Sequence, residues 1–89
     1  MKMDAKFYGV IRKAKDDTLV PEDQYVVFLV KDNAFPATLA KYRETCVALG
    51  SDPEHISAVD AMMTRMYSWR AANPGLCKIP DASGEKLLV

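Results

Sequence analysis

A chain of 89 residues has room for one domain with a modest core. Its apolar content of 49% is too high for a disordered chain, and twelve basic and twelve acidic residues cancel, which excludes a global field drawing it to nucleic acid or an anionic membrane. Two cysteines are too few for a disulfide-stapled secreted domain of this size.

No charged-then-apolar leader opens the chain. The longest apolar run, residues 25–30, is far short of the roughly 20 residues that cross a bilayer. The expectation is a single small globular domain over residues 1–89, cytoplasmic, with reduced thiols. Residues 1–5 and 80–89 are expected to be flexible tails.

Residues 6–13 (KFYGVIRK) place aromatic and β-branched side chains around Gly9, which suits a short strand, although the glycine weakens it. Asp16, Asp17 and Thr18 read as a turn, because aspartate side chains bond the nearby backbone. Residues 20–31 contain a continuous apolar run with three valines, which periodicity cannot assign between a buried strand and a buried helix. The helix reading has Pro21 in a first turn, with Glu22 and Asp23 near the positive end of the dipole. The strand reading is favoured by the short length and the valines, and pairs this segment antiparallel with residues 7–12. A lone hairpin is marginal in water and needs packing partners.

The strongest signals span residues 35–73. Pro36 is tolerated only in a first helical turn, so a helix should begin between Asp32 and Pro36. Phe35, Leu39, Tyr42, Cys46 and Leu49 then recur at offsets of four and three, forming one apolar stripe. Gly50 accepts the left-handed conformation that ends a helix. A second helix starts either with Ser51 as cap and Glu54 reaching back, or with Asp52 as cap and Pro53 first in the helix. Its stripe is Ile56, Val59, Met62 or Met63, Met66, and Trp69 or Arg70, and Asn73, Pro74 and Gly75 stop it. The fold class is therefore α+β: a short antiparallel β-hairpin packed on an antiparallel two-helix hairpin. An all-α three-helix domain is the alternative if residues 21–31 are helical.

No motif specifies a reaction. His55, the only histidine, lies in the first turn of the second helix, where an imidazole could act as base or ligand, although a capping or half-buried role is the commoner one. Cys46 could be its nucleophile, yet it lies mid-stripe, where cysteine behaves as a small hydrophobe. Cys46, His55 and Cys77 lack metal-ligand spacing, and Asp16 and Asp17 lack the rest of a calcium loop. Neither a metal nor a cofactor is expected. The second helix carries the more suggestive side chains: methionine adapts to varied partners, and Trp, Tyr and Arg recur at binding hot spots. The expected binding residues are Met66, Tyr67, Trp69 and Arg70. Lys6, Arg12, Lys13 and Lys15, beside Phe7 and Tyr8, offer a basic-aromatic alternative for nucleic acid.

The segments VVFLVKDNAF, YRETCVALG and WRAANP resemble those of short bacterial and bacteriophage proteins of uncharacterised function. The resemblance covers residues 20–81. It implies a bacterial or phage cytoplasmic setting, no particular activity, and no functional residues. The functional expectation is a non-enzymatic module that binds a protein partner or a second copy of itself. A nucleic-acid accessory protein and a small enzyme using His55 are the alternatives.

Overall fold

The computed structural model describes residues 9–80. The chain divides into two compact units, and the described residues fall as 9–27 in the first and Phe28–Pro80 in the second. Together they supply a two-stranded antiparallel sheet and a packed helical pair, the α+β composition expected. The expected tails, apart from Pro80, and the residues Lys6, Phe7 and Tyr8 lie outside the described residues.

In the first unit, strands β1 (Ile11–Arg12) and β2 (Leu19–Val20) pair antiparallel, Ile11 with Val20 and Arg12 with Leu19. The connecting loop closes through Lys13 N–H donating to the Thr18 carbonyl at 2.8 Å and Asp17 N–H to the Lys13 carbonyl at 2.8 Å. Asp17 takes φ 61°, a left-handed conformation that aspartate tolerates better than most residues. The Asp16 carboxylate accepts from the Thr18 hydroxyl and, at 3.0 Å, from the Thr18 N–H. The turn expected at 16–18 is thus built by side-chain to backbone bonding.

The partner strand differs from the one expected. The sheet uses Leu19–Val20, and residues 25–29 form neither strand nor helix. The reason lies at Pro21. It has no N–H to continue a ladder, and it opens a single 3-10 turn, Glu22–Gln24, closed by Gln24 N–H to the Pro21 carbonyl at 2.9 Å. Tyr25 then turns extended, at φ −144° and ψ 159°, ending any helix. Its phenol donates to the Gly9 carbonyl at 3.2 Å.

In the second unit, the Asp32 carboxylate accepts from Ala34 N–H at 2.7 Å and the Asp32 carbonyl from Phe35 N–H at 3.0 Å. Helix α1 (Phe35–Ala48) starts there, with Pro36 in its first turn. It ends in a Schellman motif: Ser51 N–H reaches the Cys46 carbonyl at 3.0 Å, Gly50 N–H reaches the Val47 carbonyl at 3.1 Å, and Gly50 sits at φ 80°. Helix α2 (Pro53–Ala72) resolves the capping ambiguity in favour of Asp52, whose carboxylate accepts from His55 N–H at 2.9 Å. After α2 the chain makes a 3-10 turn, Pro74–Leu76. It then lies parallel to the segment before α1. Asn33 N–H donates to the Lys78 carbonyl at 2.9 Å, and Lys78 N–H to the Lys31 carbonyl at 3.0 Å.

The core of this unit is the seam between the helices. Leu39, Val59 and Met66 are buried together, with Val30, Phe35 and Met63 packed against them. Phe28 stacks on Phe35 with ring centroids 5.5 Å apart. Cys46 is buried as the stripe predicts. Of the two methionines offered for one position, Met63 turns inward and Met62 outward. Tyr42 and Leu49, expected in the α1 stripe, are 48% and 79% exposed. Two helices share a seam only about one stripe wide, so positions at the stripe's margin reach solvent.

Candidate interaction surface

Consecutive side chains on a helix point about 100° apart, and this sends Tyr42 and Arg43 over opposite edges of the seam. Over one edge, the Arg43 guanidinium grips the Asp60 carboxylate with two bonds, Nη2 donating to Oδ2 at 3.2 Å and Nε to Oδ1. Asp60 is held below the usual carboxylate range by the hydrogen bond from Arg43, and the Arg43 guanidinium is raised by the same contact. Over the other edge, Tyr42 Oη lies 3.0 Å from His55 Nε2, with the two rings edge to face at 6.0 Å. Cys46, one turn further along α1, holds the Tyr42 phenol above its ordinary value, by hydrogen bonding first and then by charge. Tyr42 and His55 thus hold one another's rings by a hydrogen bond across the seam.

The Tyr42–His55 edge continues with apolar side chains on both helices. Seven-residue spacing keeps side chains on one helix face, so Leu49 follows Tyr42 along α1, while Met62 and Trp69 follow His55 along α2. Tyr42 and Leu49 are exposed, Met62 is 42% exposed and Trp69 is half-buried. Ala37, Thr38, Lys41, Tyr42 and Thr45 line an open depression on α1 beside it.

The residues expected to bind a partner are not brought together on one surface. Met66 is fully buried and offers nothing to a partner. Arg70 is a clamp: its Nη1 donates to the Val30 and Asp32 carbonyls at 3.0 and 3.2 Å, and its Nη2 to Asn33 Oδ1 at 2.9 Å. Those bonds tie the entry of α1 to the last turn of α2. Tyr67 is 49% exposed, but its position on α2 turns it away from Trp69 by about two-fifths of a turn. Met62, Tyr42 and Leu49 were hidden from sequence reasoning because each fits an apolar stripe. Their seven-residue spacing to Trp69, His55 or one another was the available signal.

The other candidate residues are also dispersed. Arg12 donates to the Asp17 carbonyl at 3.0 Å, which draws its guanidinium onto the hairpin loop. Lys13 and Lys15 are exposed beside the acidic Asp16 and Asp17. His55 is partnered by Tyr42 rather than Cys46, and Cys46 is buried. Among the described residues, no three His, Cys, Asp or Glu side chains gather as metal ligands. No helix there is long and apolar enough to cross a membrane.

No protein family, curated protein or solved structure matches this chain.

Proposed function

We propose that this protein is a non-enzymatic interaction module of a bacterial or phage cytoplasm, and that its working surface is the Tyr42–His55 edge of the helical pair. One observation carries the reading. Tyr42, Leu49 and Met62 are solvent-exposed on a single edge of the seam, with Trp69 half-buried beyond them. Interfaces are depleted of charge at their centres and enriched in Tyr, Trp and Met, and this edge has that composition. The Tyr42–His55 bond orients both rings before a partner arrives, which lowers the ordering cost of binding. The surface proposed here therefore moves from the last turns of α2 to the middle of both helices, retaining Trp69 from the residues first expected.

A photo-crosslinking amino acid at Met62 tests the reading in the cells that make the protein. A discrete protein adduct is expected at position 62, and none at Ala40, which lies outside this edge. An absence of any adduct at 62, in a variant with wild-type circular dichroism, overturns the proposal.

A further inference from the structure

The outer face of α2 adjoins the exposed edge just described. Glu54, Ala58, Ala61, Arg65 and Ser68 recur at offsets of four, three, four and three, so they form one stripe along the helix. Every one of them is exposed. Neither Glu54 nor Arg65 has an ion-pair partner among the described residues, although Lys41, Glu44, Arg43 and Asp60 on the same helical pair are all engaged. Met62, at 42% exposure, borders this stripe and supplies apolar surface next to the two alanines.

The arrangement is self-complementary. A two-fold axis crossing α2 midway between Ala58 and Ala61 sets two copies antiparallel. Ala58 of one copy then faces Ala61 of the other, and Glu54 faces Arg65, the charge pair being formed twice. The small side chains let the helices approach closely at the centre, while the charges fix register and direction at both ends. A parallel pairing would instead set Glu54 against Glu54 and Arg65 against Arg65, which is repulsive. An isologous two-fold contact of this kind is the commonest way a chain pairs with itself. We propose that the partner at this face is a second copy of this chain, docked antiparallel through α2 with reciprocal Glu54–Arg65 ion pairs. The proposal rests on the interaction-module reading and adds a self-association face beside the edge described above. The overlap from Glu54 to Arg65 is only about 17 Å long at 1.5 Å per residue, so the contact is small and the association weak and concentration-dependent.

Sedimentation equilibrium of the full chain over a wide concentration range is the test, run at low and high salt. The wild type should dimerise, and less so at high salt, because exposed charge pairs are screened. Arg65→Glu should weaken dimerisation about tenfold, since it replaces two attractions with two repulsions. Glu54→Arg combined with Arg65→Glu should restore it, and Ala61→Gln should weaken it by blocking close approach. Both charged positions are exposed, and circular dichroism checks that each variant keeps its helices. A wild type that stays monomeric at every concentration overturns the proposal. So does a dimer that ignores Arg65→Glu or is not rescued by the double swap. The two readings fail separately: an adduct to another protein at position 62 leaves the interaction module standing even where sedimentation finds no dimer.

Discussion

The two units of this chain are held together by different physics. No described residue of the first unit is buried. Its hairpin is two paired residues per strand, a loop closed by the backbone, and an Asp16 carboxylate bonded to Thr18. The second unit buries Leu39, Cys46, Val59 and Met66 between two helices and pins the flanking segment with Arg70. Hydrogen bonds exposed to water exchange partners with the solvent at little net gain, whereas buried apolar area is a net stabilising term. Among the described residues, the hairpin's bonds are therefore local and exposed, whereas the helical pair shares buried apolar area. A surface that must stay rigid to recognise a partner belongs on the second.

That contrast can be broken at three depths. Met66→Ala removes the largest fully buried side chain among the described residues and should cost about 2–5 kcal/mol. Urea unfolding followed by helical circular dichroism measures it, and a loss under about 1 kcal/mol would show that the seam is not the source of cohesion. Arg70→Ala should cost about 1–3 kcal/mol, because it leaves the Val30 and Asp32 carbonyls without a charged donor. Amide exchange should rise at Asn33 and Lys78, whose N–H groups bond across the adjoining segments, more than at Val59. The smallest effect is confined to the hairpin. The hydrogen bonds from the Thr18 hydroxyl and N–H hold Asp16 below its ordinary value of 3.8. A lowered folded value means that this carboxylate's contribution is fully present above 3.8 and is lost as pH falls through the lower folded value. The protection of the Thr18 amide, the slowing of its exchange relative to an unstructured chain at the same pH, should fall on acidification through that range in the wild type. In Asp16→Ala that protection should already be lost at neutral pH and should not change further on acidification, and the helical dichroism at neutral pH should match the wild type's.

Local chemistry made much of the helical pair legible. Pro36 set where α1 could start, Gly50 where it had to stop, and the run from Ser51 to Pro53 where α2 begins, though not which of Ser51 and Asp52 caps it. Those signals concern backbone groups within a turn of the residue that satisfies them, so sequence order alone carries them. The segment 25–29 shows the limit. Its apolar run suits a strand, but the ladder needs backbone N–H groups on both sides and ends at Pro21, so the pairing went to Leu19–Val20. The candidate site was less legible still. Met66, Tyr67, Trp69 and Arg70 are neighbours in the chain, yet they end in different surroundings on the helix. One became core, one became a clamp, and two stayed at or near the surface.

The amino-acid order by itself determined the helix ends, the two apolar stripes and the aspartate-built turn, because capping, turn formation and helical periodicity act over a few residues. Only the tertiary structure decided which margin of each stripe faces water, that Tyr42 bonds His55 while Arg43 bonds Asp60 on the far side, and that Arg70 is occupied within the fold. Those outcomes depend on which helix face meets which, and that is set by the packing of side chains distant in sequence.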